Sequence, residues 1–505
     1  MMRMRGVLYL TIAATLLSAC GTDSPTATVA TSNARGTLIK DPPFRIASLD
    51  AKTLTDELNQ TPSGQQLLAL AGTPTCGVDV YYTEYWTVGA AGEAATATGA
   101  LMVPTGSGSC TGARPIVLYA HGTTADKSYN IADVTNPANT EGLLVAALFA
   151  AQGYIVVAPN YAGYDTSSLP YHPFVNGDQQ SKDMIDALTA ARAALPHTFA
   201  SATTDSGKLF ITGNSEGGYV AMATHRALQA AGQTVTAAAP SSGPYALEAF
   251  GDAVFYGNVL IGSTEFAPLI IRSYQEAYHN IYQQPTDVYE PAYASFAPTL
   301  LPNATPIETL YETNLLPANA LFSDNTPKTG NAALDHQLAV PANPVFAIGF
   351  GTPNLITNDY RLSYVLDAVA NPDGALPTPT AGVPPAAAPQ QTLRVALKMN
   401  DMRSWAPHAP VLLCGGGQDP TVFFSVNTGT MQAFWSALPA GLVTVLDVNA
   451  PVSGATDPFA PAKVGFQQTV AAILAEGGQQ GVVASYHRTV APFCTAAARG
   501  FFSQF

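Results

Sequence analysis

Between residues 115 and 242 short apolar runs alternate with amphipathic stretches, and this alternation limits the possible folds more than any other feature of the chain. PIVLYAHG (residues 115–122) is a brief apolar run ending in a turn, as suits a strand buried on both faces. A helix over residues 141–152, the strand YIVVAPNY, a long amphipathic helix over residues 179–195 and the strand KLFITG come next. After GNSEG the run EGGYVAMATHRALQAAG reads as a further helix. Strand and helix in turn predict an α/β fold, a mostly parallel central sheet with helices on both faces. Ahead of this region, VDVYYTEYWTV and ATATGALMV (within residues 78–103) alternate apolar with polar residues and are rich in aromatic and β-branched side chains. Two antiparallel strands are predicted there.

After residue 245 the pattern changes. Residues 246–395 are rich in Pro, Asn, Tyr and Phe with irregular helical stretches, and the sheet resumes only at APVLLCGG, read as the last core strand. A long irregular stretch between two core strands reads as an insertion over the sheet, a cap or lid. The core is then residues 44–245 and 396–505. LPTPTAGVPPAAAPQQ (residues 376–391) is a Pro/Ala-rich loop within the insertion.

Residues 1–20 read as an address rather than as structure. Arg3 and Arg5 precede an apolar run over residues 7–17 that is too short to span a bilayer. The run ends Leu17-Ser18-Ala19-Cys20, which resembles a bacterial lipobox; the resemblance implies acylation of Cys20 and export to the cell envelope. Gly21 leaves outer-membrane or surface placement open, and the plain alternative is an ordinary signal peptide cut near Cys20. Residues 21–43, rich in Thr, Ser, Ala and Pro, are expected to form a flexible tether. Only 11% of residues are charged and the formal net charge is −14, which argues against nucleic acid as a partner and favours a neutral substrate.

Gly213-Asn214-Ser215-Glu216-Gly217 matches G-x-S-x-G, the nucleophile elbow, in which a tight strand-to-helix turn lifts a serine oxygen above the sheet. Gly213 and Gly217 are required because side chains there would clash in so sharp a turn. With 42 glycines in the chain the pentapeptide alone is weak, and context decides: it directly follows KLFITG and opens the next helix.

A serine hydroxyl needs a base, and the base needs a partner that holds its tautomer. An elbow of this kind places the acid after the nucleophile and the histidine after the acid. Asp419 stands just past the strand APVLLCGG in a Gly-rich turn. The bland alternative makes it only a turn residue or the N-cap of a helix over residues 422–435. Of the eight histidines, His487 alone follows Asp419. It is expected after a short apolar run and before a C-terminal helix. The expected donors to an oxyanion are the backbone N–H groups of Glu216 and, in the loop His121-Gly122-Thr123-Thr124, of Thr123. His121 is expected to be structural.

YAHGTT, PNYAGYDTSSLPYHPF, ALTAARAAL, GNSEGGYVAMA and NDMRSWAPHAPVLLCGGGQDPTVFF together resemble the α/β-hydrolase superfamily, more narrowly its secretory lipase (lipase A-like) and carboxylesterase branch. The similarity covers roughly residues 76–242 and 400–505. It implies hydrolysis of acyl esters without cofactor or metal, and a helical cap above the site. The rivals are a serine peptidase of the same fold and a surface lipoprotein that binds a ligand without catalysis.

Setting Cys20 aside, Cys76, Cys110, Cys414 and Cys494 form an even set with no CxxC spacing, so disulfides are expected rather than a metal site. Four cysteines allow three pairings. The expected one is Cys414 with Cys494, tying the loop of the acid to that of the base, and Cys76 with Cys110 on either side of the first antiparallel strands.

Overall fold

A computed structural model describes residues 34–136, 139–374 and 384–505. Cys20, the address segment, residues 21–33 of the tether and residues 376–383 of the Pro/Ala-rich loop lie outside the described residues.

Among the described residues nine strands form one sheet in the order β1-β2-β3-β5-β4-β6-β7-β8-β9. β1 (Phe44–Leu49), β2 (Gly77–Val88) and β3 (Ala94–Thr105) pair antiparallel, and β3 joins β5 (Ile155–Pro159) in the same sense. From β5 onward, β4 (Gly112–Ala120), β6 (Thr203–Asn214), β7 (Ala237–Ser241), β8 (Val411–Gly415) and β9 (Val443–Asp447) run parallel.

The parallel strands are apolar in consecutive positions because helices cover both faces. On β4, Ile116, Leu118 and Ala120 enter one core while Val117 and Tyr119 enter the other; on β8, Val411 and Leu413 part in the same way from Leu412 and Cys414. The first core lies under α4 (Gly177–Ala194) and α5 (Glu216–Ala230). The second lies under α3 (Thr140–Leu148) and the C-terminal helix Ala460–Phe502, with α1 (Ala51–Leu58) and α2 (Pro62–Ala71) beside them. β4 has β5 on one side and β6 on the other, so the order of strands reverses there, and sites in open α/β sheets gather at the carboxyl ends of strands beside such a point.

Between β7 and β8 the chain forms a series of helices, among them α6 (Leu247–Phe255), α7 (Ser263–Tyr278) and the helices Asn358–Ala370 and Thr392–Met399. Leu247, Val254, Leu269, Tyr364 and Leu397 share one core with Leu118 and Ile211 of the sheet.

Three expectations need correction. The flexible tether does not reach residue 43: Gly36 N–H donates to Trp86 O at 2.7 Å and Ile39 N–H to Glu84 O at 2.8 Å, so the chain is already held along β2 there. β8 is not the last strand: β9 follows it as the sheet edge, and its run VTVLD is only half buried, so it lacks the apolar signature of a central strand. The helix expected over residues 422–435 is instead a π-helical turn, Ser425–Gly429, running into the short helix Thr430–Phe434.

Candidate active site

Ser215 stands between the last residue of β6 and the first of α5, with φ 61° and ψ −126°. Such a conformation costs a non-glycine residue roughly 1–3 kcal/mol and persists only where its surroundings hold it. They do so here: Ser215 N–H donates to Ser241 O of the neighbouring strand at 2.9 Å, and Ser215 O accepts from Gly218 N–H at 2.9 Å. A Cβ on Gly217 would lie 2.0 Å from Ala120 O and one on Gly213 2.4 Å from the same atom, so both glycines let the elbow press against the end of β4.

The structure brings together three residues that the sequence separates widely. His487 Nε2 lies 2.7 Å from Ser215 Oγ and His487 Nδ1 lies 2.6 Å from Asp419 Oδ2. An ionised carboxylate only accepts, so Nδ1 carries the hydrogen and Nε2 turns its lone pair to the serine hydroxyl. The Asp419 side chain is buried while that of His487 keeps 18% of its surface exposed.

Asp419 is also the turn residue that the alternative reading made it. Its Oδ1 accepts from Thr421 N–H at 2.9 Å and Val422 N–H at 3.1 Å, leaving Oδ2 for the imidazole. The turn is held from two further sides: Gly417 N–H donates to Asp447 Oδ1 at 2.8 Å, and Gln418 N–H to Tyr486 Oη at 3.2 Å. Asp447 closes β9, so the unforeseen edge strand buttresses the acid loop.

His487 is not placed before a helix, as expected, but within one: the helical stretch Ala460–Phe502 is broken by non-helical backbone at Gly478 (φ 62°, ψ −166°), and His487 lies in the second of the two helices. The signal was present in the residues. Val482, Tyr486, Thr489, Val490, Phe493 and Ala497 are buried at spacings of three and four, the period of a helix rather than of a short strand. Cys494, seven residues on, lies two turns along the same helix and is bonded to Cys414 of β8; Cys76 is bonded to Cys110.

The loop after β4 lies against the elbow: a Cβ on Gly122 would come 3.9 Å from Ser215 Cβ. Thr123 itself is flanked by tied neighbours. Gly122 N–H donates to Glu141 Oε1 at 3.1 Å, and Thr124 O accepts from Tyr164 Oη at 2.6 Å. His121 is buried, its ring nitrogens 2.6 Å from Gly122 O and 3.1 Å from Asn160 O, and it stacks on Tyr161; every feature of it is structural.

Thr123, Ser215 and Glu216 open on a cavity of about 130 Å³ whose other walls are mostly apolar, chiefly Phe174, Leu247, Val254, Phe266, Ile270 and Leu397, with Ser263 and Thr421 beside them. Five of these six apolar residues come from α6, α7 and the helix Thr392–Met399. Sequence reasoning passed over two more residues of the site. His172 and Gln180 are buried and hydrogen-bonded to the Glu216 carboxylate, and no short motif marks a side chain that acts through a neighbour.

Among the described residues no group of three or more His, Cys, Asp or Glu side chains is placed to hold a metal ion, and no helix is long and apolar enough to cross a membrane. Two disulfides suit folding in an oxidising compartment, outside the cell or in the periplasm.

The model of the prolyl oligopeptidase family matches residues 143–257, the segment from α3 through the elbow to α6. No curated protein sequence matches the chain. The ligand-bound crystal structure of the rice cell wall degrading esterase LipA from Xanthomonas oryzae is 25% identical, with a TM-score of 0.64 over 88% of this chain and 98% of that one. A protein from Legionella pneumophila is 19% identical, with a TM-score of 0.62 over 92% of this chain and 97% of that one, and shares the fold. An esterase that superposes over nearly its whole length, and a hydrolase family model lying across the elbow, agree with the sheet order and the turn at Ser215: the chain belongs to the α/β-hydrolase superfamily, as a serine hydrolase of the esterase- and lipase-like kind.

Proposed function

We propose that the chain is an exported carboxylic ester hydrolase acting through an acyl-enzyme, with Ser215 as nucleophile, His487 as general base and Asp419 as its orienting partner. The observation that carries this reading is the unbroken hydrogen-bonded chain Asp419–His487–Ser215 at the mouth of an apolar cavity. Ser215 Oγ attacks the ester carbonyl as His487 Nε2 takes its proton. The backbone N–H groups of Glu216 and Thr123 stabilise the oxyanion, and His487 returns the proton to the departing alcohol. Water activated by His487 then releases the acid in the same manner.

The cavity receives the acyl group. An apolar cavity of about 150 Å³ takes up a benzene molecule, so one of this size suits a chain of roughly six carbons. The helices between β7 and β8 serve as the cap and set this preference. Delivery to the envelope on a lipid at Cys20 accords with the disulfides, and the substrate is a small-molecule or lipid ester.

The match to the prolyl oligopeptidase family favours a second reading, a peptidase. It is the weaker one, because a peptide substrate needs polar partners for its main chain and the cavity walls supply almost none. Turnover of p-nitrophenyl butyrate compared with that of a prolyl p-nitroanilide decides between them. Ester turnover should dominate, and Ser215→Ala should retain under about one percent of it. Faster anilide cleavage, or an active Ser215→Ala variant, overturns the proposal.

A further inference from the structure

Glu216 combines two demands that conflict. Its backbone N–H is the proposed oxyanion donor, yet its own side chain is a carboxylic acid, wholly buried one residue from the nucleophile. An unneutralised carboxylate there would oppose the negative charge that the amide is meant to stabilise, and for a buried side chain the opposition is poorly screened.

The surroundings resolve the conflict. Glu216 Oε1 lies 2.6 Å from His172 Nε2 and 2.6 Å from Gln180 Nε2. His172 Nδ1 lies 3.0 Å from Ala162 O, a group that can only accept, so this nitrogen carries a hydrogen. The contact between Nε2 and Oε1 needs one more proton. Wherever along the bond it resides, on the imidazole or on the acid, the pair is neutral as a whole.

The pair is built in rather than incidental. His172 lies between Tyr164, at 4.6 Å between ring centroids, and Tyr161, at 5.6 Å, and Ala162 is fastened in turn by its N–H to Asp183 Oδ2 at 2.6 Å. His172 belongs to the YHPF segment that resembled the lipase family and has no part in the proton transfers above.

We propose that His172 and Gln180 are positioning residues of the oxyanion site: they hold the first residue of α5 by its carboxylate, and His172 supplies the proton that keeps this carboxylate from opposing the oxyanion. The inference rests on the hydrolase reading above. It predicts a defect confined to the transition state, because ground-state binding of the acyl chain involves neither residue.

The test compares kcat and KM on p-nitrophenyl butyrate, with active sites counted by a fluorophosphonate titrant so that unfolded protein does not enter. His172→Gln should lower kcat per titrated site by roughly 10- to 100-fold, less than or comparable to removal of an oxyanion donor, and leave KM within about twofold. Adding Glu216→Gln removes the stranded acid, so the double variant should recover at least about fivefold of the loss. An unchanged kcat for His172→Gln, a loss in KM alone, or a double variant no faster than the single one overturns the inference. Where His172→Gln yields no folded protein, Gln180→Met decides: it removes one donor and should lower kcat about threefold or more at constant KM, and an unchanged kcat overturns the inference. A wild-type protein that the titrant does not label refutes the hydrolase reading instead, which separates the two failures.

Discussion

Cys414 and Cys494 are bonded to each other five residues before Asp419 and seven residues after His487, so one covalent link joins the strand that leads to Asp419 to the helix that carries His487. The bond closes a loop with a sequence separation of 80, whereas Cys76–Cys110 closes one of 34. On the chain-entropy view each stabilises the fold by roughly 4 kcal/mol.

The two bonds should therefore differ in function more than in stability. Replacing Cys414 and Cys494 together by alanine should lower both the unfolding midpoint and kcat, because the acid and base then lose their common anchor. Replacing Cys76 and Cys110 should lower the midpoint and leave kcat of the folded protein near wild type. Urea titration and single-substrate kinetics on the two double variants check this; equal losses of kcat would count against it.

Asp419→Asn should fold normally, since the side-chain oxygen can still accept from Thr421 and Val422 N–H. It should nevertheless lose about 10⁴-fold in kcat, because the amide favours the wrong imidazole tautomer. Circular dichroism alongside kcat separates this outcome from misfolding. A variant retaining a tenth of the activity would remove Asp419 from the mechanism.

The cavity predicts acyl selectivity. Val254 of α6 lines it, and Val254→Phe should fill much of its volume. Each methylene that no longer fits forfeits about 0.8 kcal/mol, close to fourfold in kcat/KM. The ratio of hexanoate to butyrate turnover should fall by about tenfold or more. An unchanged ratio in a folded variant would place the acyl chain elsewhere.

Glu248 on α6 supplies a pH dependence. Burial, then the neighbouring Asp373, raises its carboxyl from an ordinary 4.5 to about 8, and Arg394, 3.5 Å away, offsets this only in part. A carboxyl whose folded value lies above its unfolded one binds its proton more tightly when folded. Its stabilising contribution is then complete below about pH 4.5 and is lost as the pH rises toward about 8. Glu248→Gln keeps an acceptor for Ala386 N–H and should gain roughly 1–3 kcal/mol over wild type between pH 5 and pH 8. Unfolding curves that stay parallel across that range would contradict the assignment.

Much of the sheet was legible because its cause is local. PIVLYAHG and KLFITG are apolar at consecutive positions, and β4 and β6 prove to be covered on both faces. Edge elements were harder. β9 is half exposed, so its residues VTVLD need not be apolar and do not announce a strand. The helical period through His487 was present at Val482, Tyr486, Val490 and Phe493, but the short apolar run GVV at its start imitates a strand end.

The sequence by itself determined the elbow, because it depends on chemistry within a few residues: the tight turn at Ser215 requires glycine at 213 and 217. The order of acid and base followed from the pattern that accompanies such an elbow. Only the tertiary structure decided that His487 projects from a helix, that helices beyond β7 close an apolar cavity over Ser215, and that His172 meets Glu216. Those contacts join residues 272 apart for His487 and Ser215 and 44 apart for His172 and Glu216. Their geometry comes from how the helices pack on the sheet, a sum of many weak contacts that no short stretch of chain contains.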